Sequence, residues 1–223
     1  MKKRFFQSAC LQFIYKGFVQ YFLKLIVGIH FSDNSCLKSE SQFIILANHN
    51  SHLDTLALMA SLPRKILWKV KPVAAEDYFG NTKIKASLSN YFINTLLIRR
   101  KADKDASNDP IKKIIAALDE GYSLIFFPEG TRGTAEQMDK IKPGISRILS
   151  ERPHIKYLPV FMTGMGRSLP KGDPLLLPYK SSVNYGALTS VLSRDAQQIM
   201  QQITLDFDEM KARFQPAISS SED

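Results

Sequence analysis

An α/β domain, with a mostly parallel central sheet flanked by helices and preceded by amphipathic membrane-associating helices, is the fold this sequence predicts. Three observations predict it. From residue 42 onward, short apolar runs of strand length alternate with segments of helical periodicity, the pattern of a parallel sheet with crossover helices. The chain has 223 residues, 44% hydrophobic and 23% charged, enough for one domain with a proper core. The first thirty residues carry separate polar and apolar rows at helical spacing. The expected organisation is N-terminal amphipathic, interfacial helices over 1–32 and a single α/β domain over 33–223.

The N-terminal segment begins with Lys2, Lys3 and Arg4 and continues apolar. Lys16 and Lys24 interrupt it, leaving no uncharged run of the roughly 18 residues a span needs. On a helix, Gln12, Lys16, Gln20 and Lys24 form a polar row, and Ile14, Phe18, Tyr21, Phe22, Leu25 and Ile29 an apolar face. Such a helix can pack onto the domain's own core or lie in a bilayer interface with its basic leader near anionic headgroups; the aromatic richness and the basic leader favour the membrane surface.

The strands and helices follow in order. "QFIILA" (42–47) is apolar throughout, as a strand buried on both faces must be. A helical pattern runs from Ser51 to about Ser61, "ILWKVKPVAA" (66–75) reads as a strand, "TKIKASLSNYF" (82–92) as a helix and "TLLIRR" (95–100) as a strand. Asp109 is a natural N-cap with Pro110 at the first helical position, and Gly121 ends that helix. "YSLIFF" (122–127) is the next strand. A helix near 143–152, strands at 155–164 and 181–186 with a Gly/Pro-rich loop between them, and a final helix with Ile199, Ile203, Phe207, Met210 and Phe214 on one stripe complete the chain.

The formal charge of +9 and pI near 9.5 call for an anionic partner: nucleic acid, a phospholipid surface or a phosphate-rich small molecule. No nucleic-acid motif or arginine-rich arm accompanies the charge, so nucleic acid is not expected. Cys10 and Cys36 stand alone, without a CxxC or a Cys/His cluster, which argues for a reducing compartment and against structural zinc.

Two of the four histidines fall in "LANHNSHLDTLALM" (46–59), where a strand gives way to a helix. "SHLD" (51–54) is a capping box in which Ser51 accepts from the N–H of Asp54 and the Asp54 carboxylate reaches back. Capping explains Asp54 but not His49, which sits in the loop leaving the strand. One turn of helix can bring Asp54 to one ring nitrogen of His49 and leave the other free, the arrangement of a general base and its orienting carboxylate. His52, two positions from Asp54, faces away from that carboxylate and reads as a bystander. A metal pair would want i, i+4 histidines and more carboxylates, so no metal is expected. No G-x-S-x-G elbow offers a serine nucleophile, so the base would act on a hydroxyl of the substrate.

"FFPEGTRG" (126–133) also leaves a strand. Gly130 lets backbone N–H groups approach an oxyanion, Arg132 offers a bidentate fork for phosphate, and Glu129 and Thr131 complete the loop. Taken alone, the loop also reads as a surface turn with a Glu–Arg pair. Arg99 and Arg100 close "TLLIRR", and Lys142-Pro143-Gly144 opens a later helix; together with the loop they could line one cationic crevice.

"NHNSHLD" and "FPEGTRG" resemble the NHxxxxD and FPEGTR boxes of the glycerolipid acyltransferases, the 1-acylglycerol-3-phosphate and glycerol-3-phosphate enzymes. "NTLLIRR" sits where that family has a GxxFIDR-like segment, with Asn94 in place of its glycine and Arg99 in place of its aspartate. "YLPV" (157–160) is similar to its VPV-like box, and "KPG" (142–144) to its Lys-x-Gly. The likeness covers roughly residues 40 to 190.

The resemblance implies a mechanism. His49, oriented by Asp54, would deprotonate an acceptor hydroxyl that attacks the thioester of acyl-CoA or acyl carrier protein, with no cofactor beyond that co-substrate. Glu129, Gly130, Thr131, Arg132, Arg100 and Lys142 would bind substrate, the two arginines holding the acceptor's phosphate. The expected acceptor is a lysophospholipid, above all 1-acylglycerol-3-phosphate, in phospholipid biosynthesis or remodelling. The expected place is peripheral, on the cytoplasmic face of a membrane. The altered second box motivates an alternative, a catalytically silent lipid-binding protein of the membrane surface on the same scaffold.

Overall fold

The computed structural model describes residues 2–76, 93–99, 109–133, 140–169 and 175–215, with side chains from residue 6 onward. The expected helix at 82–92 and the expected phosphate ligand Arg100 lie outside the described residues.

Seven strands form one sheet: β1 (Ile29–Phe31), β2 (Phe43–Ala47), β3 (Val70–Ala75), β4 (Leu96–Ile98), β5 (Ser123–Phe126), β6 (Lys156–Thr163) and β7 (Ser181–Tyr185). Their spatial order is β1-β7-β6-β2-β5-β3-β4. Every neighbouring pair is parallel except β6 with β7. The mostly parallel α/β architecture read from the sequence is the one observed.

Strand β2 lies at the centre and is buried at all five positions. Phe43, Ile45 and Ala47 face one apolar layer while Ile44 and Leu46 face the other, which is why the run lacks the alternation of a half-exposed strand. On the second face pack α3 (Pro110–Asp119), α4 (Gly144–Glu151) and α6 (Ala196–Phe214). Asp109 caps α3 as expected, accepting from Ile111 N at 2.9 Å with Pro110 at the first position. Ile199, Ile203, Phe207 and Met210 form the buried stripe of α6.

On the first face lie α2 (Leu53–Ser61) and a long N-terminal helix, α1, which spans residues 2–27. Wide turns over Phe13–Val19 and Leu23–Val27 interrupt the α geometry of α1. Such turns shift the register, so the row expected at i+4 spacing is not kept. Leu11, Tyr15, Leu23 and Val27 are buried, and so is Lys16, whose Nζ donates to the carbonyl of Ala60 at the end of α2. The expected polar row is thus broken at Lys16, which turns inward. Phe18, Tyr21 and Leu25 of the expected apolar face are 69%, 60% and 78% exposed, and Phe13 is 77% exposed, which makes the outer surface of α1 apolar. By length and composition, the helix over Phe6–Val27 is apolar enough to cross a membrane even with Lys16 and Lys24 in it.

Other departures are local. The chain forms β1 at 29–31, where the helical pattern was expected to continue; Gly28, at φ 83°, stops α1, and β7 offers a parallel edge. Arg64–Lys69 is a tight 3₁₀ segment, so the strand expected from residue 66 begins at Val70. A one-turn helix, α5 (Met165–Ser168), occupies part of the expected Gly/Pro-rich loop, entered through Gly164.

Candidate active site

Strands β2 and β5 are parallel neighbours, with Leu46 opposite Phe126. Their C-terminal ends therefore open at the same edge, and the loops that leave them, eighty residues apart in sequence, meet there. The meeting is bonded from both sides. The N–H of His49 donates to Glu129 Oε1 at 2.8 Å, and the N–H of Gly133 donates to the carbonyl of His49 at 2.9 Å. Asn48 anchors the first loop to the other neighbour, β6. Its side chain accepts from Met162 N at 2.7 Å and donates to Met162 O at 2.8 Å.

His49 Nδ1 lies 2.9 Å from Asp54 Oδ2. The same oxygen accepts from the backbone N–H groups of Asn50 at 2.7 Å and Ser51 at 2.8 Å. Asp54 is 1% exposed, while the His49 side chain is 20% exposed. An ionised carboxylate has no proton to give, so Nδ1 is the donor and carries the hydrogen. The lone pair is thereby assigned to Nε2, which has no hydrogen-bond partner among the described residues. The ring stacks on Phe127, with centroids 4.1 Å apart and planes at 19°, which fixes its tilt. The dyad expected from sequence is present as a geometry, on a partly exposed imidazole.

The capping box forms with one change. Asp54 reaches back to Ser51 N, but Ser51 Oγ accepts from Leu53 N at 3.2 Å and donates to Leu169 O at 3.0 Å. Ser51 thus also ties the start of α2 to the segment that follows α5.

Around the dyad stand cationic and flexible groups. Gly130 has φ 73°, and a Cβ there would come within 2.8 Å of Lys142 Nζ. The absence of a side chain lets the lysine amine lie against the loop backbone. The Lys142 backbone N–H also donates to Pro128 O at 2.9 Å. Arg132 contacts His52 through Nη1 and Nε2, and Thr131 is exposed in the same loop. Glu129 is 1% exposed, with Oε1 engaged by the His49 backbone. The structure therefore gathers His49, Asp54, Glu129, Gly130, Thr131, Arg132 and Lys142 at one sheet edge. Sequence reading did not single out Asn48, Phe127 or the His52–Arg132 contact. The signal for Asn48 was its place beside His49 at the end of a buried strand, where a polar side chain needs a partner.

The second box lies at the other end of the strand order. Asn94 has φ 61°, a left-handed conformation that favours glycine and, after it, asparagine. Its buried amide donates to Val70 O at 2.8 Å and Trp68 O at 3.1 Å. The asparagine thus occupies a backbone conformation that a glycine would suit and adds bonds that a glycine would lack. Arg99 pairs with Glu76 at 3.3 Å on the surface.

The fold is thus a mostly parallel sheet, covered on both faces, with a His–Asp dyad and a cationic loop at adjacent strand ends. A family model described as "Acyltransferase" matches residues 28–163, more than half of the chain, and the chain belongs to that family. It is 28% identical over 139 residues to a 1-acyl-sn-glycerol-3-phosphate acyltransferase of Helicobacter pylori, a match that covers 61% of this chain and 54% of that one. It is 31% identical over 137 residues to a protein named Taffazin from Dictyostelium discoideum, covering 57% and 47%. The chain thus spans about half the length of these two relatives. The crystal structure of PlsC, the 1-acyl-sn-glycerophosphate acyltransferase of Thermotoga maritima, superposes with a TM-score of 0.66 over 91% of this chain and 82% of that one. At 19% identity, that likeness shows a shared fold.

Proposed function

We propose that the protein is an O-acyltransferase that moves a fatty acyl group from an acyl thioester, acyl-CoA or acyl carrier protein, to the hydroxyl of a lysophospholipid. The preferred acceptor is 1-acylglycerol-3-phosphate. The observation that carries the reading is the 2.9 Å approach of His49 Nδ1 to Asp54 Oδ2, which leaves Nε2 without a hydrogen-bond partner among the described residues. Nε2 takes the proton of the acceptor hydroxyl as its oxygen attacks the thioester carbonyl. Asp54 stabilises the imidazolium that forms, and the imidazolium returns the proton to the departing thiolate. The products are an ester and a free thiol, with no covalent enzyme intermediate. Arg132 and Lys142 supply positive charge for the acceptor's phosphate, with Gly130 giving room for the lysine; Arg100 and Thr131 are further candidates for that role. Glu129 acts from behind, holding the loop of the base.

The apolar outer surface of α1 supports docking on a phospholipid membrane, where the acceptor resides, and the basic sequence at 2–4 suits anionic headgroups. The site is expected to work from the cytoplasmic face, where acyl thioesters are made.

One assay tests the reading. Purified protein is mixed with vesicles that contain anionic phospholipid, an acyl thioester, and in turn lysophosphatidate, other lysophospholipids and glycerol phosphate, and the lipids are weighed by mass spectrometry. Diacylated phosphatidate formed from lysophosphatidate, by protein that sediments with the vesicles, is the expected result. No acylated product from any acceptor would refute the activity, and protein left in the supernatant would refute the docking.

A further inference from the structure

His52 was read from sequence as a bystander, yet in the fold its Nε2 meets the Arg132 guanidinium. Arginine can only donate, so Nε2 must accept and the ring hydrogen sits on Nδ1. That assignment requires a neutral imidazole. The two loops are locked by the Glu129 and Gly133 bonds to His49, so Arg132 and His52 face each other across a fixed gap. We infer that His52 is a positioning residue that holds the Arg132 fork toward the phosphate of the acceptor and releases it when protonated. The inference rests on the acyltransfer reading above and adds a specificity determinant to it.

Among the described residues, the charged groups acting on His52 are Arg132 from the β5 loop, His49 from its own loop and Asp54 from α2. Partial burial, then Arg132, then His49 push the imidazole below its ordinary range, while Asp54 pulls the other way. The neutral, accepting form is therefore the one present at neutral pH. As pH falls through that lowered value, Nε2 gains a proton, its bond to Arg132 is lost, and two cations stand together.

Steady-state kinetics of the full chain test this with 1-acylglycerol-3-phosphate and with monoacylglycerol, a phosphate-free acceptor, between about pH 5 and 8. The phosphate of the acceptor gains a proton near pH 6, so the informative quantity is the difference between proteins. His52→Gln offers an uncharged acceptor at every pH. It is expected to keep the low KM of the wild type at pH 8 and to show a shallower rise toward pH 5. His52→Ala is expected to raise KM for the phosphorylated acceptor about tenfold at pH 8, the loss of one charge-assisted bond, with kcat and the monoacylglycerol KM within about twofold. Thermal melts of both variants confirm folding. Equal KM values in all three proteins would overturn the inference alone. So would a wild-type KM below that of His52→Gln at low pH, because the imidazolium would then be binding phosphate itself. No thiol release by the wild type with any acceptor would remove the acyltransfer reading, and this inference with it.

Discussion

At the centre of the sheet, the loops leaving β2 and β5 are tied to each other and to β6 by four bonds of 2.7 to 2.9 Å. At the edge, the segment entering β4 is held by an asparagine amide reaching back to the carbonyls of Trp68 and Val70 at the start of β3. The central loops carry a buried carboxylate whose single oxygen takes three donors, so a small shift would leave several groups unpaired at once. The edge segment carries the Asn94 amide bonds to the backbone and a surface ion pair, and the ion pair contributes little. The family-like motifs are intact in the centre and altered at the edge, and the two kinds of bonding account for that contrast. Chemistry needs the centre to be rigid. The edge has only to hold its shape and present a side chain.

Substitutions can break this comparison or sharpen it. The largest effect is expected from Asp54→Asn, which keeps size but removes the charge that assigns the His49 tautomer. The rate of thiol release should fall roughly 10²- to 10⁴-fold with the fold retained. Glu129→Ala comes next. It leaves the His49 N–H without its partner and loosens the loop, so kcat should drop about tenfold to a hundredfold, with KM for the thioester little changed. The smallest effect on activity belongs to the edge. Asn94→Ala keeps a Cβ at positive φ but removes the amide that supports it, which should cost about 1–3 kcal/mol of stability in a thermal melt. Its kcat should stay within a few-fold of wild type. A loss of kcat at Asn94 as large as that at Glu129 would erase the distinction between centre and edge.

Much of this was legible in the sequence, for reasons of period and local chemistry. The continuous apolar run of β2 announced a strand buried on both faces, and the Asp109-Pro110 pair announced the start of α3. The approach of Asp54 to His49 was legible because one turn of helix is a short-range rule. Contacts that depend on strand order were not. Glu129 reaching His49 N, and Arg132 reaching His52, each join residues eighty apart, and only the adjacency of β2 and β5 creates them. Lys16 was read on one polar row with Gln12, Gln20 and Lys24 because regular α spacing was assumed, and the wide turns of α1 changed that spacing. The three-residue β1 was too short to show a period at all.

The central claim is that the His49 imidazole, held by Asp54, takes the proton of the acceptor. Thiol release from acyl-CoA in the presence of lysophosphatidate, compared between wild type and a His49→Ala protein with an unchanged melting curve, tests it most directly. Release by the variant indistinguishable from the reaction without enzyme is the predicted result, and wild-type turnover by the folded variant would contradict it.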